Sequence, residues 1–227
     1  MTRGRMGVIF DCDGTLLDSL GVWSKMEHYL ADQAQATLAQ EDIDKLVTLT
    51  NPESAVLFHE NYGLGETALE VEKMMDDFLL SYYRNEAVCR PGAFDFVKGL
   101  YDAGVVMTMA SSSPLSYLEA GLEHTGLNAL IQEAISVDDV GHSKREPQIY
   151  LYAQKCMGSD SKFTWGFEDS VYALHTLRSA GFRTVGIYAG EEYGTHEELA
   201  AAADLVIDSF EELNAPDFIE MTFSDAS

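Results

Sequence analysis

The sequence predicts an α/β protein: a doubly wound parallel sheet interrupted after its first strand by an inserted α-helical block. Three observations predict it. A short apolar run near the start ends in an Asp-rich turn, residues 17–85 carry helical spacing throughout, and beyond residue 90 short apolar runs alternate with helical segments. Strands alternating with helices build a parallel sheet covered on both faces.

In chain order, Gly7-Val8-Ile9-Phe10 has the length and composition of a buried strand. It feeds Asp11-Cys12-Asp13-Gly14-Thr15, whose Asp-Gly step signals a turn. Trp23, Met26, Tyr29 and Leu30 then recur at helical spacing, as do Leu69, Met74, Met75, Phe78 and Leu79. Asn51-Pro52-Glu53-Ser54 and Asn61-Tyr62-Gly63-Leu64-Gly65 punctuate this block, and no strand stands out in it. Trp23, Phe58, Tyr82 and Tyr83 are expected to pack inside the helical block rather than line a pocket.

After Arg90-Pro91-Gly92 a helix over 93–103 leads to a strand over 105–110. Ser111-Ser112-Ser113-Pro114 follows, with Ser113 expected to cap the next helix and Pro114 at its first position. Further strands are expected at 134–137, 163–167, 184–188 and 205–207, with one helix starting near Pro147 and another stopping at Gly181. The last dozen residues, polar and acidic, are expected to fray. A core domain of residues 1–16 and 86–227 and a cap domain of residues 17–85 follow from this division.

Composition narrows the function. The chain has 227 residues, of which 46% are hydrophobic and 11% aromatic, enough for a substantial core. Its 14 Lys and Arg face 38 Asp and Glu, a formal charge of −24. Such a surface repels the phosphates of DNA and RNA, so a nucleic-acid polymer is a poor partner. An anionic ligand would need a local positive source, such as a metal ion or a well-placed lysine. Cys12, Cys89 and Cys156 are too scattered for a disulfide framework or a zinc site. The apolar run after Arg5 stops at Phe10, shorter than a signal peptide's hydrophobic region, and no later run could span a bilayer. A cytoplasmic protein without a membrane partner is expected.

The chemistry lies in four loops, each following an expected strand or opening a helix. Asp11 and Asp13 are two apart at a strand's carboxyl end, where ligands of open α/β sheets bind. Two close carboxylates repel unless a proton or a cation sits between them. One can then attack while the other transfers a proton; a solvated Asp-Gly turn is the bland alternative. Ser111 offers a hydroxyl near a helix N-terminus, the makings of a phosphate cradle. Lys144, in the loop Gly141-His142-Ser143-Lys144-Arg145-Glu146-Pro147, could offset charge around Asp11, or pair with almost any carboxylate in so acidic a chain. Glu168-Asp169 would make an oxygen-rich site for a hard cation, against the alternative that Asp169 or Ser170 caps a helix. His59-Glu60 and His196-Glu197 lack the second histidine of a zinc helix.

Taken in order, these motifs resemble the haloacid dehalogenase superfamily, specifically its phosphatase-like members with a helical cap inserted after the first strand. Asp11-Cys12-Asp13-Gly14-Thr15-Leu16-Leu17-Asp18-Ser19 is similar to the family's first motif, Ser111 stands at the second, Lys144 at the third, and Glu168-Asp169-Ser170 at the fourth. Ala203-Asp204-Leu205-Val206-Ile207-Asp208 looks like its last strand. The resemblance implies a Rossmann-like core, a magnesium cofactor and a small phosphorylated metabolite as substrate. It implies that Asp11 is the nucleophile and becomes an aspartyl phosphate, while Asp13 protonates the leaving oxygen and then activates water. Magnesium would be held by the Asp11 carboxylate, the Asp13 backbone carbonyl and Asp169, with Glu168 close by. Ser111 and Lys144 would bind phosphoryl oxygens alongside backbone N–H groups near Cys12, Asp13 and Ser112. Cys12 would contribute mainly backbone, because flanking carboxylates disfavour a thiolate.

The chain departs from the family after Lys144, where Arg145-Glu146-Pro147-Gln148 replaces the common Pro-x-Pro-Asp. Asp13 argues against dehalogenation, since dehalogenases of the family lack that second acid. The rival is a β-phosphoglucomutase-like sugar phosphomutase, which carries a basic residue in the cap for a second phosphate. The Thr48-Leu49-Thr50-Asn51-Pro52-Glu53 stretch offers none, which favours hydrolysis. A non-catalytic binding module is the third alternative. The cap is expected to close over the site and shield it from water, as lids do.

Overall fold

A computed structural model describes residues 4–46, 49–191 and 193–224. Two compact units separate: one comprises the chain up to Ser19 and from Ala87 onward, the other is Leu20–Glu86. Within the first unit, the segments that bound the insertion are laced together. The Asp18 N–H donates to the Val88 carbonyl, the Arg90 N–H donates to the Leu16 carbonyl, and Leu17 bridges Cys89 antiparallel.

The larger unit begins with β1 (Gly7–Phe10), and the smaller holds α1 (Val22–Gln33), α2 (Gln40–Leu46), α3 (Asn51–Tyr62) and α4 (Ala68–Asn85). The larger unit resumes with α5 (Ala93–Asp102), β2 (Val106–Ser111), α6 (Leu115–Thr125), β3 (Glu133–Ser136), α7 (Val137–Val140) and α8 (Gln148–Met157). It ends with β4 (Thr164–Glu168), α9 (Val171–Ser179), β5 (Arg183–Ile187), α10 (His196–Ala202), β6 (Leu205–Ile207) and α11 (Ala215–Ser224). The predicted α/β class is thus the observed one.

All strand pairs are parallel, in the order β3-β2-β1-β4-β5-β6. Every residue of β1, β2 and β4 is buried, as expected of strands covered on both faces. Side chains alternate between two packed layers. Phe10, Phe167 and Trp165 face an aromatic cluster with Phe96, Phe210 and Phe218, with ring centroids 4.8–6.3 Å apart. Ile9, Val106 and Ala110 pack with Ile149, Tyr150, Ala153 and Leu177. At Gly166 a Cβ would come within 2.5 Å of the Leu177 side chain, so a larger residue there makes Leu177 shift.

Up to Ser224, the last described residue, the C-terminal segment does not fray as expected. Residues 215–224 form α11, because Phe218 enters the aromatic cluster and the Trp165 indole N–H donates to Thr222 Oγ1 at 2.8 Å. The apolar members of a short amphipathic helix were hidden among acids in the sequence. A second surprise is α7, four residues long, set by a capping box between Ser136 and Asp139.

In the smaller unit, α3 opens with a capping box between Thr50 and Glu53 and closes on Gly63 in the left-handed conformation. Phe58, Tyr82 and Tyr83 are buried and Trp23 is half-buried. Of the Thr48–Glu53 stretch, Thr48 lies outside the described residues. No helix among the described residues is long and apolar enough to cross a membrane.

Candidate active site

The strand order places the predicted residues together. β1 lies between β2 and β4, and the chain proceeds outward from it in opposite directions, to β3 on one side and β6 on the other. The carboxyl ends of strands flanking such a reversal diverge into a crevice, the usual ligand position in this architecture. Asp11 follows the last residue of β1, and its N–H donates to the Phe167 carbonyl at 2.9 Å. Ser111 is the last residue of β2 and Glu168 the last of β4, so residues a hundred or more positions apart meet around Asp11.

Asp11, Glu168 and Asp169 are buried, and one carboxylate oxygen of each lies within 4.8 Å of the others. Lys144, 3% exposed, donates to Asp11 Oδ1 and, at 2.6 Å, to Glu168 Oε1. The departure at Arg145-Glu146-Pro147-Gln148 therefore leaves Lys144 in place; Pro147 stands at the start of α8. The Tyr150 hydroxyl donates to the same Glu168 oxygen at 2.8 Å.

Asp13 faces different partners. Ser19 Oγ donates to its Oδ1 and Ser113 Oγ to its Oδ2, both at 2.6 Å. Its carboxylate is not in the three-acid cluster, and the contact the resemblance assigns to a cation there is its backbone carbonyl. Gly14 makes the turn with φ +79°, a conformation that side chains resist, and the Leu16 and Leu17 N–H groups return to the Cys12 carbonyl. Arg90 braces this loop, donating to the Gly14 carbonyl at 3.1 Å and to the carbonyls of Tyr188 and Asp208 at 2.8 and 3.3 Å.

Ser113 is a correction. It does not cap α6, which starts at Leu115 after Pro114 with no side-chain cap bond. Its hydroxyl is taken by Asp13, and its N–H donates to Ser111 Oγ at 3.0 Å. A serine before a proline reads as a cap until the sheet brings another acceptor within reach. Ser111 is buried and shapes this turn, while Ser112 is exposed beside it. Nor do Asp169 and Ser170 serve as side-chain caps: no side-chain cap bond opens α9, and Ser170 Oγ donates to Asp169 Oδ1 at 3.2 Å. The sequence pointed to the acids that meet here but not to Ser19, Ser113 or Tyr150 as their partners, nor to Arg90 as the brace of the Gly14 turn.

The electrostatics follow from crowding. Lys144 gives one positive charge to three buried carboxylates. Burial opposes its charge, but Asp11 and Glu168 overcome that and hold the ammonium protonated well above the usual lysine range. Burial, with carboxylate repulsion added, raises Glu168 to about 8 and Asp169 to about 7, and raises Asp11 as well. Burial and the flanking Asp13 and Asp11 push the Cys12 thiol well up, so it is no nucleophile.

The haloacid dehalogenase-like hydrolase family model matches residues 8–187. The chain belongs to this family. This hydrolase is 28% identical over 206 residues to the bifunctional riboflavin kinase/FMN phosphatase of Arabidopsis thaliana; the match takes in 89% of the chain but spans about half (52%) of that relative. It is 25% identical over 219 residues to hexitol phosphatase B of Escherichia coli K12, covering 96% of the chain and 98% of the relative. Its fold is similar to that of CbbY from Rhodobacter sphaeroides in complex with phosphate, with a TM-score of 0.74, 22% identity, and coverage of 95% and 99%.

The donor set of the hydrolase fits a hard divalent cation: three carboxylates, all oxygen, with more negative charge than Lys144 balances. A pH dependence follows. The folded values of Glu168 and Asp169 lie above their unfolded values of 4.5 and 3.8, so the folded metal-free protein holds protons the unfolded chain has released. The stability these two groups contribute is fully present below about pH 4 and is lost as pH rises toward 8. In EDTA the melting temperature therefore falls by several degrees between pH 5 and pH 8, and magnesium reverses the fall at pH 8 more than at pH 5. A melting temperature in EDTA that rises across this range would count against the crowded cluster.

Proposed function

We propose that this hydrolase is a magnesium-dependent phosphatase that cleaves a small phosphate monoester, a phosphorylated sugar or polyol, through a phosphoaspartate on Asp11. Family membership and the phosphatases among its relatives make it an enzyme, a phosphoric monoester hydrolase. The observation that carries the finer reading is the convergence of Asp11, Glu168 and Asp169, at the ends of strands remote in sequence, with Lys144 from the loop before α8.

Asp11 attacks phosphorus, and the ester oxygen leaves as an alcohol with a proton from Asp13. Asp13 then takes a proton from water, which attacks the phosphorus of the phosphoaspartate, releasing phosphate and restoring Asp11. The two serine hydroxyls that donate to Asp13 suit its role as base, since both carboxylate oxygens are held in fixed directions. Lys144 turns from Asp11 and Glu168 toward a phosphoryl oxygen, with Ser111 and the backbone N–H groups after Ser111 and Asp11 completing the cradle. Asp11, Asp169, the Asp13 carbonyl and Glu168 would hold magnesium, which would balance the surplus negative charge and polarise the phosphoryl group. The polyol or sugar class is carried by the likeness to hexitol phosphatase B over nearly the whole of both chains.

The test is magnesium-dependent phosphate release across hexitol phosphates, sugar phosphates, nucleotides and small phosphoesters, with β-glucose 1-phosphate followed for conversion to glucose 6-phosphate. Release from a polyol or sugar phosphate, lost on chelation, is expected. Isomerisation without release would favour the mutase, and a folded but inert protein the binding module.

A further inference from the structure

Tyr150 stands in the first turn of α8, 1% exposed, on the stripe that packs against the sheet with Ile149, Ala153 and Met157. A hydroxyl in such a stripe is unfavourable unless it finds a partner. Its partner is a carboxylate of the acidic cluster: the hydroxyl donates to Glu168 Oε1 at 2.8 Å, and Lys144 Nζ reaches the same oxygen at 2.6 Å. Both donors use Oε1, which holds the carboxyl plane, and an oxygen of this carboxylate lies in the cluster with Asp11 and Asp169.

The two donors are not equivalent. Lys144 is shared with Asp11, and its side chain is flexible and charged, so an arriving phosphoryl group competes for it. Tyr150 carries an uncharged hydroxyl, and its ring is clamped in the core. When Lys144 turns to substrate, Tyr150 is the donor that stays.

We propose that Tyr150 is a positioning residue for the cation: by fixing Glu168 it sets the affinity of the site for magnesium. This rests on the magnesium-phosphatase reading. Partners of metal-binding carboxylates outside the coordination sphere are worth about 10–100-fold in metal affinity or activity.

The experiment compares wild type with Tyr150→Phe, which deletes one oxygen and keeps the ring. Magnesium binding is measured by calorimetry on the substrate-free protein, alongside kcat and the magnesium activation constant. The dissociation constant and the activation constant should both rise by about tenfold or more, with kcat at saturating magnesium largely retained. The gain in melting temperature on adding magnesium should shrink in parallel. Unchanged magnesium affinity, with a melting temperature lowered equally in EDTA and in magnesium, would reduce Tyr150 to packing and overturn the proposal. Should Tyr150→Phe not fold, 3-fluorotyrosine introduced at position 150 alone reads the same contact in the active enzyme. Its fluorine resonance should shift with magnesium at the activation constant, and a resonance blind to magnesium overturns the proposal. Wild type that binds no magnesium removes the phosphatase reading itself, a failure distinct from a Tyr150→Phe variant that binds as wild type does.

Discussion

Asp11→Asn should abolish phosphate release, by on the order of 10⁴-fold or more, the scale of losing a nucleophile, while making the metal-free protein more stable. The amide keeps the shape of the side chain and still offers Lys144 an acceptor, so no cavity opens and no ammonium is stranded. What disappears is one of three buried carboxylates that burial and mutual repulsion disfavour. In EDTA the melting temperature should rise by a few degrees, and the extra stability gained from magnesium should diminish. Activity and stability thus move in opposite directions, as they do where a site is built under tension. Turnover near the wild-type rate would sink the nucleophile; a melting temperature lowered in EDTA would sink the account of crowding.

Lys144→Met should do the reverse to stability and the same to activity. The long apolar side chain fills the space of the lysine stem, but Asp11 and Glu168, 6% and 1% exposed, lose their counter-charge. Breaking a buried pair from one side costs about 3–5 kcal/mol, a fall in melting temperature on the order of 10 °C for a chain of this size. Protonation relieves the stranded carboxylates, so the loss should be larger at pH 8 than at pH 5, and magnesium should recover part of it. Phosphate release should fall too far for magnesium to restore, because the cation replaces the charge but not the donor to the phosphoryl group. Differential scanning fluorimetry at both pH values, with and without magnesium, checks these outcomes. A variant as stable as wild type in EDTA at pH 8 would contradict the buried pairing of Lys144.

What could be read in advance followed the physics of local signals. Gly7–Phe10 is legible as a strand because four apolar residues bounded by a turn leave few other options, and Arg183–Ile187 and Leu205–Ile207 are legible for the same reason. The helices of residues 22–85 declare themselves by spacing, whereas Asn51-Pro52-Glu53-Ser54, read as a break, is the first turn of α3 behind a Thr50–Glu53 capping box. Ala215–Ser224 was missed because its apolar residues have no meaning until the aromatic layer around Phe167 and Trp165 exists to receive them. Ser113 was misread because a cap is the nearest use of a serine along the chain, whereas Asp13 is a hundred residues away. Tyr150 and Arg90 carry no local signal at all: a tyrosine on a buried stripe and an arginine before Pro-Gly acquire their partners from the register of strands.

By itself the sequence determined the α/β alternation and the helical insertion, which are properties of composition over a few neighbouring positions, while Asp11, Asp13, Lys144, Glu168 and Asp169 stand out in it through their resemblance to the family's motifs. The tertiary structure alone decided which carboxylates share a lysine, that Asp13 is held by Ser19 and Ser113, and that one Glu168 oxygen takes two donors. Those contacts span up to 133 positions in sequence, and hydrogen bonds and charge pairing act over a few ångströms, so no short-range pattern can encode which partner arrives.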